Sequence, residues 1–168
     1  MFKLEDGSGL PDATSYIDDT YATEYIDTYF PEDTEWATKS QPEKELLLMT
    51  ATAFVDRLVN WKGRVYNAYQ ALSWPRTAIT DLEGRVIPSG TIPEKVKDAV
   101  AIMALESLSA DIYDEGVLVT SMKYGSSSEF YAGPVRDGGN FYATRLLKDF
   151  KRLGYGQSYT SQVILERA

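Results

Sequence analysis

Residues 40–63 read SQPEKELLLMTATAFVDRLVNWKG, and this stretch decides the fold class. Ser40, followed three residues later by Glu43 with Pro42 between them, has the form of a capping box. The serine hydroxyl and the glutamate carboxylate can satisfy free amides at a helix start, and proline is tolerated there because its missing N–H would have no partner anyway. Apolar residues then recur at Leu47, Ala51, Phe54, Leu58 and Trp61, which is a helical period. Leu46, Leu48, Val55 and Val59 widen the stripe, predicting a central, deeply buried helix that Gly63 ends.

Upstream, a helix is expected over 18–30, with Asp18 or Asp19 accepting from first-turn amides and Pro31 stopping it. Tyr21, Tyr25 and Tyr29 fall on one face of it. The flanks are strongly acidic and would repel phosphates, so this row reads as core or interface packing rather than as a surface for stacking bases.

Downstream, 64–91 loses the helical period and consists of turn chemistry: Trp74-Pro75-Arg76, Asp81 to Gly84, and Pro88-Ser89-Gly90. It reads as a long ordered loop pinned by Trp74, with the Asp81 turn able to join two short strands. Thr91-Ile92-Pro93-Glu94 repeats the capping logic and opens a third helix to about residue 113. Residues 117–123 are β-prone, and Asp137-Gly138-Gly139-Asn140 introduces a last helix to about Leu153 with Tyr142, Leu146, Phe150 and Leu153 on its apolar face. The expected fold is mainly α: a compact bundle of about four helices with a long ordered loop, a short β-prone segment and an extended C-terminal arm. The helical domain spans 1–153 and the arm 154–168.

The chain has 168 residues, enough for one domain, and contains neither Cys nor His. That removes disulfides, Cys/His zinc sites, cysteine nucleophiles and histidine general bases. Acidic groups at Asp18/Asp19, Glu32/Asp33/Glu35 and Asp111/Asp114/Glu115 lack the spacing of a calcium loop, and no glycine-rich phosphate loop or nucleophile elbow is present. The expectation is therefore a protein that is not an enzyme and needs no metal or cofactor. No apolar run approaches a membrane span and the first residues lack a signal-peptide core, so no membrane partner and synthesis in the cytoplasm are expected.

With 17 Lys and Arg against 25 Asp and Glu the net charge is −8. It is unevenly placed: residues 1–45 hold 12 acids and three bases, whereas Arg136, Arg145, Lys148, Lys151 and Arg152 cluster near the C-terminus. Either solvated faces simply differ in sign, or unlike faces of neighbouring copies meet head to tail.

Several residues in order carry a family resemblance: Ser15-Tyr16-Ile17, Ala51 to Asp56 leading to Trp61-Lys62-Gly63, Leu72-Ser73-Trp74-Pro75-Arg76, Ile87-Pro88, and Ile92-Pro93-Glu94-Lys95-Val96-Lys97. The chain resembles bacteriophage proteins of the family often labelled DnaT-like single-stranded DNA-binding proteins, which are similar to head-tail connector (adaptor) proteins. The resemblance implies a virion protein at the head-tail interface, a dodecameric ring beneath the portal protein. Its C-terminal arm, through Tyr155, Tyr159, Val163, Ile164, Leu165 and Arg167, would dock on the portal, and its outer end would receive tail proteins. Genomic double-stranded DNA would pass through the channel without sequence-specific contact, slipping along an acidic wall. Trp61, Gly63, Leu72, Trp74, Pro75, Arg76, Ile92 and Pro93 would then be structural. The alternative is the family label itself, single-stranded DNA binding in phage replication. That reading requires the bases of 136–152, with Tyr142 and Tyr155, to form one exposed face, and charge reversal at Lys148 and Arg152 to abolish oligonucleotide binding.

Overall fold

Helix α1 (Asp19–Tyr29) begins where the sequence supplies a cap: the Asp18 carboxylate accepts from the Tyr21 amide at 2.9 Å. It ends before Pro31, with the Phe30 amide donating to the Ile26 carbonyl. Ala22 and Ile26 are its buried residues. The tyrosine row lies along the rim of the core: Tyr21 and Tyr25 are half-buried, Tyr29 is exposed, and the Tyr21 hydroxyl donates to Asp98 at 2.8 Å. A short helix that the periodicity did not announce follows, α2 (Glu35–Thr38). Its Trp36 is buried, with the indole N–H donating to Thr23 at 3.0 Å and the Lys44 ammonium 5.2 Å above the ring.

Helix α3 (Gln41–Leu58) carries the expected capping box, the Glu43 carboxylate accepting from the Ser40 amide at 2.8 Å. The helix stops at Leu58 rather than at Gly63, because Val59 turns extended and the next residues pair with the chain returning near residue 151. Its buried face is Leu48, Ala51, Thr52, Phe54 and Val55, rotated from the expected seam, and Leu46 is exposed. The central position belongs instead to α4 (Glu94–Ser109), which packs on α1, α2 and α3. Every residue from Ala99 to Ala104 is buried, and three alanines among them let neighbouring helices approach closely. Ile92, also buried, and Pro93, whose carbonyl accepts from Val96 and Lys97, form the entry to α4.

Between α3 and α4 lie two antiparallel strand pairs, one of them unanticipated in the expected loop. Strand β1 (Arg64–Val65) pairs with β2 (Arg76–Thr77), Arg64 facing Thr77. Strand β3 (Ile79–Thr80) pairs with β4 (Val86–Ile87) across the anticipated Asp81 turn. Beyond α4, β5 (Met122–Tyr124) pairs with β6 (Ser127–Glu129), and α5 (Phe141–Leu147) packs on α4 before tightening into a 3-10 turn, Lys148–Phe150.

The computed structural model describes residues 1–81, 83–109, 122–124, 127–129 and 141–152. The fold is mainly helical, with five α-helices rather than about four and three small strand pairs among the described residues. The expected arm, 154–168 with Tyr155, Tyr159, Val163, Ile164, Leu165 and Arg167, lies outside them. Among the described residues no helix is long and apolar enough to cross a membrane.

Candidate nucleic-acid interface

A knot of buried side chains fixes the chain where α3 gives way to the strand pairs. The Tyr16 hydroxyl donates to one oxygen of Asp56 and accepts from the Trp74 amide at 3.0 Å, while the Ser73 amide donates to the second Asp56 oxygen at 2.9 Å. Burial raises the Asp56 carboxyl above its ordinary value despite these hydrogen bonds, and burial together with the Asp56 charge raises the Tyr16 phenol well above its own. Trp74 has no exposed surface, and its ring meets Trp61 and Phe150 edge-on, with centroids 5.7 and 5.4 Å away. The Trp74–Pro75 peptide is cis.

Arg76 completes the knot by hydrogen bonding to carbonyls: Lys62 at 2.7 Å, Ser73 at 2.9 Å and Gly63 at 3.2 Å. Its planar fork thus ties the end of the α3 extension to the start of β2. Gly63 sits at φ +70°, and a Cβ there would come within 2.3 Å of the Thr77 carbonyl oxygen and 2.5 Å of the Ile79 side chain. Leu72, half-buried, packs on the same core. The residues expected to be structural are therefore brought together here, apart from Ile92 and Pro93 at the α4 entry.

Residues 148–152 return to this knot from the far end of the chain. The Lys62 amide donates to the Phe150 carbonyl at 2.8 Å, the Arg152 amide to Asn60 at 2.5 Å, and Trp61 bridges Lys151 in antiparallel fashion. The Lys62 ammonium donates to the Asp149 carbonyl at 2.7 Å. The Asp149 carboxylate, almost wholly buried, pairs with Lys95 of α4 through one oxygen and leaves the other without a partner.

This docking creates an open groove lined by Lys62, Gly63, Arg64, Ala78 and Arg152. The guanidinium groups of Arg64 and Arg152 form no ion pair among the described residues, and both side chains are exposed. Two carboxylates of the adjoining knot are engaged, Asp56 with Tyr16 and Asp149 with Lys95. Ala78, between β2 and β3, takes the left-handed region at φ +57° and turns the floor of the groove. Further along the same stretch, Tyr66 and Tyr69 are 48% and 82% exposed.

An acidic surface lies along α1, where Asp19, Glu24 and Asp27 stand among Thr20, Thr23 and Thr28. Among the described residues, no cluster of carboxylates converges closely enough to hold a metal ion.

The sequence model of the family described as "Putative DnaT-like ssDNA binding protein" matches residues 1–168, the whole chain. The chain belongs to this DnaT-like family. No match was found among curated proteins or among solved structures.

Membership of the DnaT-like family overturns the expectation of a head-tail connector. The full-length match is to a family described by single-stranded DNA binding, and it supports neither a dodecameric ring under a portal nor portal, tail and duplex partners. The expectation went astray on charge. A balance of −8 describes the whole DnaT-like molecule, whereas a ligand feels charges within a screening length of about 8–10 Å. Glu32, Asp33, Glu35, Glu43 and Glu45 gather at the start of α3, and the groove lies past its other end. That helix has 18 residues, about 27 Å at about 1.5 Å per residue.

The basic face expected from 136–152 is only partly assembled. Arg145 and Lys148 are exposed, Lys151 is half-buried and Arg152 enters the groove. Arg136 and Tyr155 lie outside the described residues, as does the side chain of Tyr142. The groove's other cations, Lys62 and Arg64, were not anticipated. Their signal was present: between Asp56 and Asp81 the DnaT-like chain carries Arg57, Lys62, Arg64 and Arg76, interleaved with Trp61, Tyr66, Tyr69 and Trp74, and no acid.

Proposed function

We propose that this protein binds single-stranded DNA along the Lys62–Arg64–Arg152 groove, as a binding protein that performs no covalent chemistry. One observation carries this reading: in an acidic protein, two guanidinium groups with no ion pair among the described residues and an ammonium, from sequence-distant segments, converge on one open groove. Phosphates are the ligand chemistry that such a convergence attracts, through charge-assisted hydrogen bonds and release of counterions. The family description supports it independently.

The test is oligonucleotide binding by the R64E/R152E double variant, with K39E as a control that changes charge at an exposed helix of the opposite end. Lys39 pairs with Glu35 on α2. The expected result is loss of binding in the double variant and near wild-type binding in the control. The double variant lowers the net charge by four and the control by two, so a control loss half as large in log affinity would show that only overall charge matters, and unchanged binding in the double variant would place the ligand elsewhere.

A further inference from the structure

Resting on the reading above, we infer that Tyr66 and Tyr69 form a base-stacking platform beside the groove, and that these two rings make the site prefer single strands over duplex. The two tyrosines are the large aromatic side chains that this end of the molecule presents to solvent, in contrast to Trp61 and Trp74, which it buries.

The platform is rigid. The Tyr66 amide donates to the Pro75 carbonyl at 3.1 Å, extending the β1–β2 ladder by one step. Tyr66 follows Arg64 of the groove by two residues, just beyond the paired residues of β1. The turn that follows is held by its own amides. Asn67 accepts from the Tyr69 amide at 3.1 Å, and Gln70 accepts from the Asn67 amide at 2.8 Å while donating to the Leu72 and Pro75 carbonyls. The N-terminal segment clamps the outer edge, with Asn67 donating to Gly9 at 3.1 Å and the Ala71 amide to Leu10 at 2.9 Å.

Within the described residues neither phenol has a hydrogen-bond or ring partner, and the pinned turn holds both rings outward. An exposed ring on a fixed backbone loses little conformational entropy on binding, which suits it as an anchor. Bases offer a π-face to such rings only when unstacked from a duplex, whereas phosphates meet Arg64 and Arg152 in either form. The groove therefore supplies attraction common to both forms, and the tyrosines supply the discrimination.

The experiment compares fluorescence anisotropy of a labelled single-stranded oligothymidylate with that of a hairpin duplex of matched charge, using the wild-type chain, Y66A/Y69A and Y66F/Y69F. The expected result is that Y66A/Y69A loses single-strand affinity by about fivefold or more per ring, with unchanged duplex affinity and unchanged salt dependence. The phenylalanine variant keeps the preference, since it keeps the ring faces. Equal loss for both oligonucleotides, or no loss for either, overturns the platform while leaving the groove in place. A wild-type chain that binds neither oligonucleotide overturns the groove reading and the platform with it.

Discussion

The Lys62 ammonium donates to the Asp149 carbonyl at 2.7 Å across 87 residues of sequence, and the Asp149 carboxylate is held in turn by Lys95. Three segments are thereby locked at one point: the extension after α3, the start of α4 and the turn that delivers Arg152. The groove exists because this lock is closed.

Replacing Lys95 with Met removes the one partner of a buried carboxylate whose second oxygen is already unpaired. Leaving a buried charged acceptor unsatisfied costs about 1–3 kcal/mol, a range that applies here because Lys95 itself is half-exposed. The K95M chain should show a lower Tm, faster amide exchange at Lys62 and Arg152, and weaker oligonucleotide binding although no groove cation has changed. Full stability with intact exchange protection would show that the lock is held by backbone pairing alone.

Tyr16→Phe tests the knot below the groove. The substitution leaves the Trp74 amide and one Asp56 oxygen without their partner, for a loss of about 1–3 kcal/mol in urea denaturation. The wild-type chain should also lose stability in alkali. Burial raises the phenols of Tyr16 and Tyr21, and that of Tyr25 to about 12. The folded chain therefore holds these protons more tightly than the unfolded chain does. The stabilisation is complete below the ordinary phenol value near 10 and declines as pH rises past it. Tyrosinate absorbance should accordingly lag behind that of free tyrosine and then rise together with unfolding. Asp56, also raised by burial, acts in the acid range: stability falls as pH climbs from its ordinary 3.8 through the elevated folded value, because the unfolded chain ionises first.

Gly63 and Ala78 make opposite predictions from the same backbone region. Gly63→Ala should destabilise by more than the about 1–2 kcal/mol of left-handed strain alone, since the new methyl also meets the Thr77 carbonyl. Ala78→Gly relieves strain at φ +57° and should leave Tm unchanged or raise it, with DNA affinity retained. A destabilised A78G chain would show that its methyl packs usefully against the groove floor.

On the proposed reading, salt dependence reports the number of phosphates held in the groove. For single strands, each neutralised phosphate adds about −0.7 to the slope of log affinity against log salt. R152A should reduce the slope by about that amount, and Y66A/Y69A should not change it. An R152A slope equal to that of the wild-type chain would remove Arg152 from the contact.

Features written in local patterns were legible in the sequence. The Asp18 cap, the Ser40–Glu43 box and the Asp81 turn joining two short strands all stand where neighbouring residues announced them. Features set by distant partners were not. The α3 stripe continues to Trp61, yet the helix ends at Leu58 because residues 60–62 are claimed by residues 150–152. The rotation of the buried face of α3 and the central place of α4 depend on which helices meet, which a single stripe does not record. The groove draws on Lys62, Arg64, Ala78 and Arg152, so no window of sequence contains it. Tyr66 and Tyr69 sat in a stretch that reads as turn chemistry, and their exposure became visible only once the Asn67 and Gln70 amides were placed.

The late arrival of Arg152 sets an order of events during synthesis. A ribosome that has released only the first half of the chain has already released Lys62, Arg64 and both tyrosines, but the residues of the wall that completes the groove are not yet translated. The groove can therefore be complete only after α5 has emerged and the turn behind it has found Asn60 and Lys62.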